Sequence, residues 1–177
     1  IHLSTTFENS QPGEYEYFYG RSGNPTRELF ERTMASLEGI ENFESMHSFG
    51  MASGMAAVTL IGELVEPGEN VVITRDVYGG TTRFFSQVMT KRGIEVNFCD
   101  LYDEEKLTSL INEKTKLVWF ESPSNPRINI FDIAKYAEIV HKSNAYLVAD
   151  GTFTSPFITR HLEHGVDIVF HSTTKYI

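Results

Sequence analysis

The sequence predicts an α/β fold, a mostly parallel sheet with helices on both faces. Two observations carry that expectation. From Gly54 onward, segments of helical period alternate with short β-branched or aromatic runs, the pattern of parallel βαβ units joined by right-handed crossovers. The last run, Val166-Asp167-Ile168-Val169-Phe170, follows a glycine and reads as a buried strand.

The elements follow in order. Residues 1–23 are rich in Ser, Thr, Gly and Tyr without a sustained period and read as an extended N-terminal arm. Residues 24–177 read as one domain. Asn24-Pro25 supplies an N-cap and a first-turn proline. The helix it opens sets Leu29, Phe30, Thr33, Met34 and Leu37 on one face and ends at Gly39. A helix from about Met55 to Val65 stops at Pro67-Gly68, and a strand follows at Val71–Ile73. A helix over about Thr81–Lys91 precedes a strand at Val96–Phe98. Asp103 caps a helix to about Ile111, and Lys116–Phe120 is a strand. A helix spans about Asp132–His141, Tyr146–Ala149 is a strand, and a short helix leads into the final strand.

Composition narrows the classes. At 177 residues with 41% hydrophobic content, the chain can bury one core. Twenty-four acidic against 15 basic residues give a net charge of −9, which argues against nucleic acid as a partner. One buried phosphate remains compatible, because it needs only local donors. The single cysteine, Cys99, forms no internal disulfide, and a reducing, cytoplasmic compartment follows as the expectation. No apolar stretch approaches the roughly 20 residues that span a bilayer. Ile1–Phe7 lacks the features of a signal peptide, and the sequence reads as cut at both ends.

The chemistry gathers at strand ends. In a parallel sheet all carboxyl ends share one edge, where open α/β folds bind ligands. Leu117–Phe120 delivers Glu121 and then Asn125-Pro126, and Tyr146–Ala149 delivers Asp150. Ile168–Phe170 delivers Ser172, Thr174 and Lys175. A lysine, neighbouring hydroxyls and a carboxylate on adjacent strand ends are what pyridoxal 5'-phosphate needs. The amine joins its aldehyde, the hydroxyls bind its phosphate, and the carboxylate keeps the pyridine nitrogen protonated. Gly54 and Met55, at a helix start in Ala52-Ser53-Gly54-Met55-Ala56-Ala57, offer backbone N–H groups to an anion. Tyr78, before Gly79-Gly80-Thr81, offers a ring that could stack on a flat cofactor. Each residue also has a plainer reading: Asp150 or Glu121 as a cap, Ser172 and Thr174 as turn residues, Lys175 as a solvated surface cation, Tyr78 as packing. It is the joint arrangement that points to a site.

Six ordered motifs together resemble the pyridoxal-phosphate enzymes of cysteine and methionine metabolism, the cystathionine γ-lyase and γ-synthase family. They are Leu3-Ser4-Thr5-Thr6-Phe7, Tyr19-Gly20-Arg21-Ser22-Gly23-Asn24-Pro25-Thr26, the Ala52–Ala57 segment, Val77-Tyr78-Gly79-Gly80-Thr81, Glu121-Ser122-Pro123-Ser124-Asn125-Pro126 and His171-Ser172-Thr173-Thr174-Lys175-Tyr176. The resemblance implies the large domain of the aspartate-aminotransferase-like fold, fold type I, incomplete at its C-terminus and without the small C-terminal domain. It implies Lys175 as the cofactor-bearing, proton-shuttling amine, held neutral by burial and nearby cations. Asp150 would pair with the pyridinium nitrogen, Tyr78 would stack on the ring and Thr152 would lie close to it. Asn125 would touch the cofactor oxygen and the substrate carboxylate. Gly54, Met55, Ser172 and Thr174 would bind the phosphate. Tyr19 and Arg21 would reach the phosphate of a neighbouring subunit in a homotetramer built as a dimer of dimers.

The activity implied is γ-elimination from a sulfur amino acid, most closely that of a cystathionine γ-lyase, giving cysteine, 2-oxobutanoate and ammonia. Methionine γ-lyase, and the γ-replacement enzymes cystathionine γ-synthase and O-acylhomoserine sulfhydrylase, stand as alternatives. A non-catalytic relative that only oligomerises is the reading from another class. Gly80 in place of a cysteine favours the cystathionine enzymes, whereas Phe18 favours methionine-type lyases. Two departures bear on the site. Gly151 stands where the family usually has asparagine, which predicts a loosened Asp150. The segment 44–51 is more polar than the family's short strand, which predicts a bulge or inserted loop. Residues 1–177 alone are expected to be catalytically weak or dead.

Overall fold

In a computed structural model, the described residues are 1–42, 47–100 and 102–177. They divide into two compact units, residues 1–50 and residues 51–177.

In the first unit, Asn24 caps helix α1 (Pro25–Leu37), its side-chain oxygen accepting the backbone N–H groups of Thr26 and Arg27 at 2.8 and 3.4 Å. Met34 and Ala35 are buried, whereas Leu29, Phe30 and Leu37, expected on a covered face, are 66%, 40% and 42% exposed. The helix periodicity is right, but the described segments of this unit that meet the helix, a short looped arm and the stretch around Gly50, leave those side chains largely uncovered. The arm differs from the extended expectation. Thr6 and Tyr19 form an antiparallel bridge, flanked by the Phe7 N–H to Phe18 and the Gly20 N–H to Thr5. Gly13, at φ +88°, takes the left-handed conformation in the turn from Gln11 to Glu14. Aromatic pairs Phe7–Tyr17 and Tyr15–Phe18 meet at tilted angles along the loop, with ring centroids 5.6 and 5.1 Å apart. These contacts are too local and too few to leave a periodic signature. The Tyr17 hydroxyl donates to Glu28, which also binds Arg32 and is held below the usual carboxylate range mainly by the tyrosine bond.

The second unit is a five-stranded, wholly parallel sheet in the order β2-β1-β3-β4-β5. Its strands are β1 (Asn70–Thr74), β2 (Glu95–Cys99), β3 (Thr115–Glu121), β4 (Tyr146–Asp150) and β5 (Ile168–Phe170). Glu121 and Asp150 are thus the last residues of their strands rather than the first beyond them. Helices α2 (Gly54–Gly62) and α3 (Gly79–Phe84) pack on one face, α4 (Glu104–Leu110) and α5 (Ile133–Val140) on the other. Asp103 and Asp132 cap α4 and α5 through the N–H groups of Lys106 and Lys135, as their types predict. The helix expected over 81–91 changes pitch: α3 runs into a π-helical turn, Phe85–Met89, then a 3₁₀ turn, Thr90–Arg92. A final short helix, α6 (Ser155–Ile158), follows β4.

Strand parity separates two cores. Val71, Ile73, Leu117, Trp119, Val148 and Phe170 pack with Val58, Ile61, Phe84, Phe85 and Met89 from the α2 and α3 side. Val72, Val118, Phe120, Leu147 and Ala149 pack with Leu107, Tyr136 and Val140 from the α4 and α5 side. Residues 47–51 form no strand, and the part of the unusual 44–51 segment at 44–46 lies outside the described residues. No helix among the described residues is long and apolar enough to cross a membrane.

Candidate functional site

The register pairs Glu121 with Asp150 and Asp150 with Phe170, so three adjacent strands end level with one another. Alternation along β3 and β4 then places both carboxyls on the face of Trp119 and Val148, beside α2 and α3. Asp150 is 5% exposed, and burial raises its carboxyl above the usual range. Opposing that are the hydroxyl and N–H of Thr152, the latter 3.0 Å from Oδ1, and the charge of His171. Thr152 in turn accepts the Ser172 N–H on its Oγ1 at 2.9 Å, tying the loop after β4 to the loop after β5.

That second loop folds on itself. The Ser172 and Thr174 hydroxyls lie 3.1 Å apart, and the Lys175 N–H donates to the Ser172 carbonyl at 3.1 Å. Gly54 opens α2 directly against Ser172: a Cβ on Gly54 would meet Ser172 Cβ at 3.0 Å and its Oγ at 3.2 Å. A helix N-terminus and two hydroxyls therefore share one spot without an intervening side chain, a cradle for an anion. Ser53 caps α2 through the Ala56 N–H. Lys175 extends from this loop on the same sheet edge as Asp150 but is exposed, not buried as expected.

Tyr78 precedes α3 and is 50% exposed. Its ring edge and the Met55 sulfur flank Gly80, where an added Cβ would lie 2.4 Å from the tyrosine ring and 2.8 Å from that sulfur. Gly80 is the notch that lets the two approach. Asn125 is half-buried in the loop after β3, next to the fully buried Ser124. Tyr19 and Arg21, in the first unit, meet each other: the guanidinium lies 5.0 Å from the ring centroid, in a turn closed by the Gly23 N–H to the Tyr19 carbonyl.

The structure thus gathers Gly54, Met55, Tyr78, Asp150, Thr152, Ser172 and Thr174 through direct contacts or a shared sheet edge, and sets Lys175 and Asn125 on flanking loops. Sequence reasoning left two residues without a task. Glu121 accepts the Tyr78 N–H at 2.7 Å. Burial first, then the charge of Asp150, pushes its carboxyl up to about 8. His171 packs against Gly151, whose added Cβ would lie 2.4 Å from the imidazole. The missing side chain at 151 is therefore filled space, and Asp150 stays buried and bonded; the expected loosening is not seen. Counting strand parity from Trp119 would have put Glu121 on the site's face.

The whole chain, residues 1–177, matches the family of Cys/Met metabolism PLP-dependent enzymes. The chain belongs to this family. Among curated relatives it is 47% identical to a cystathionine β-lyase of Coxiella burnetii and 42% identical to the cystathionine γ-lyase of Homo sapiens. All of this chain aligns in both cases, against 45% and 43% of the relatives' lengths. The chain spans less than half the length of the curated relatives it matches. A solved cystathionine γ-lyase from Lactobacillus plantarum, complexed with L-serine, superposes with a TM-score of 0.89 at 34% identity, over 99% of this chain and 45% of that one. As in its family, the cofactor is pyridoxal phosphate. The residues present fit it: an anion cradle at Gly54, Ser172 and Thr174, and a buried carboxyl one loop away.

Proposed function

We propose that the protein carrying this chain is a carbon–sulfur lyase of transsulfuration, cleaving cystathionine by γ-elimination to cysteine, 2-oxobutanoate and ammonia. The observation that carries the reading is the level ending of β3, β4 and β5, which brings Asp150, the Thr152–Ser172 link and the Lys175 loop to one edge beside α2. When bound, the cofactor supplies an electron sink for charge developing at the substrate α-carbon. Around it, Gly54, Met55, Ser172 and Thr174 bind the phosphate. Asp150 holds the proton of the ring nitrogen, Thr152 orients Asp150, and Tyr78 covers the ring. Asn125 orients the cofactor oxygen and the substrate carboxylate. Lys175 carries the cofactor and moves the α-proton at Nζ. Tyr19 and Arg21 complete the phosphate site of a neighbouring subunit in a dimer of dimers, and the compartment is the cytoplasm.

The test supplies cystathionine to the intact, cofactor-loaded protein and identifies the products. Cysteine with 2-oxobutanoate is expected. Homocysteine with pyruvate instead would make it a β-lyase, the reading favoured by the Coxiella burnetii relative. Turnover of methionine alone, or of an O-acylhomoserine with added thiol, would move it to a γ-lyase of methionine or a γ-replacement enzyme. A protein that binds no pyridoxal phosphate would overturn the assignment and leave a subunit that only assembles.

A further inference from the structure

Glu121 is 3% exposed, ends β3, and has no task in the roles above. Its side chain stands on the same sheet face as its register partner Asp150. One oxygen accepts the Tyr78 N–H at 2.7 Å, across 43 residues of sequence. That bond holds the Tyr78 N–H to the sheet, while its carbonyl accepts the Thr82 N–H at 3.1 Å within the helix start. The residue is half-exposed, sits at the N-cap of α3 with φ −47° and ψ 131°, and makes no side-chain cap. Its ring lies in the notch at Gly80, beside the Met55 sulfur. The backbone anchor to the sheet therefore sets where the phenol stands.

We propose that Glu121 is a positioning residue, fixing the Tyr78 backbone through its carboxyl oxygen and holding a proton so that Asp150 carries the negative charge. The proposal rests on the cofactor-binding reading above. Two carboxyls on adjacent strand ends, both buried, share poorly solvated space, and one must keep its proton. The surroundings decide which. Facing Asp150 are the Thr152 hydroxyl and N–H and the imidazole of His171, all favouring its ionised form. Among the described residues, Glu121 is met by the Tyr78 N–H and by the Asp150 charge, which opposes ionisation. Asp150 takes the charge and Glu121 the proton, so the carboxylate that meets the ring nitrogen stays ionised beside a neutral acid. Above about pH 8 Glu121 ionises, and a second charge enters the site.

Two variants of the intact protein separate the parts. Glu121→Gln keeps an oxygen for the Tyr78 N–H but cannot titrate. Glu121→Met keeps the volume but accepts no bond. Each apo protein is titrated with pyridoxal phosphate, and the bound cofactor's visible circular dichroism is recorded from pH 6 to 9.5. Glu121→Gln is expected to bind within about threefold of wild type with the same dichroic band, and to lack a wild-type spectral change near pH 8. Glu121→Met is expected to bind about tenfold more weakly, with an altered band. A Glu121→Met protein matching wild type in affinity and band overturns the anchor. Persistence of the spectral change in Glu121→Gln overturns the proton assignment, and that arm stands even if Glu121→Met does not fold. Wild type that binds no cofactor would instead sink the function itself, a distinguishable result.

Discussion

Placing alanine at 151 tests how the site accommodates its glycine. The backbone there lies outside the left-handed region, so a side chain is not excluded by φ. On entropy alone, Gly151→Ala would stabilise the fold by about 0.4–1 kcal/mol, since the unfolded chain loses freedom. Packing says the reverse. The new methyl would lie 2.4 Å from His171 Cε1, 3.0 Å from its Nδ1 and 3.1 Å from Cε1 of the fully buried His161. The first distance is far inside van der Waals contact, and the His171 ring, 6.4 Å from that of the buried His161, is not the end of a long flexible chain. Overpacking of this kind costs about 1–3 kcal/mol. The clash outweighs the entropy, and a net loss of about 1–2 kcal/mol is expected in urea unfolding of the intact protein. In a His171→Ala background the two closest approaches are gone and the 3.1 Å approach to His161 remains, so the same substitution costs much less, a coupling of about 1–3 kcal/mol. Additivity of the two changes, or stabilisation by Gly151→Ala alone, would refute the packing described.

Other outcomes follow from the same geometry. Glu121 binds its proton more tightly folded than unfolded, so its share of stability is lost as pH rises from about 4.5 to about 8, up to roughly 5 kcal/mol in all. Glu121→Gln should flatten the fall in urea midpoint across that window, and an unchanged slope would count against it. Gly54→Ala presses a methyl against Ser172 Cβ at 3.0 Å and crowds the anion cradle, so pyridoxal-phosphate affinity should fall about tenfold, with a loss of about 1 kcal/mol in apo stability from the same contact. Asn24→Ala removes the acceptor of two N–H groups at the start of α1 and should cost about 1 kcal/mol by denaturant unfolding.

The sheet and most caps were legible because their causes are local. Asn24, Asp103 and Asp132 cap where their types predict, and the apolar runs at 71–73, 117–120 and 147–149 become buried strands. The site's outline was legible because a parallel sheet gathers its carboxyl ends. What the sequence did not yield depends on contacts distant along the chain. Glycine at 151 has meaning only with a histidine 20 residues later, and Gly80 only with Tyr78 and Met55 around it. The exposed Leu29, Phe30 and Leu37 show the limit of periodicity, which finds an apolar stripe without saying what covers it.

A single register choice links the fold to the chemistry. Because the side-chain period of a strand is two, sliding β4 by one residue against β3 would turn Asp150 to the face of Leu147 and Ala149, under α5, where no phosphate cradle stands. The pairings that prevent this are apolar: Leu117, Trp119 and Val148 are fully buried on one face, Val118, Phe120 and Leu147 on the other. A slip would also separate Thr152 from the Ser172 N–H, the strap between the β4 and β5 loops. The packing of hydrophobic residues in mid-sheet thus determines which face receives the buried charge at its edge. Site residues whose own bonds are few, such as Asp150 and Glu121, inherit their positions from side chains that touch no ligand.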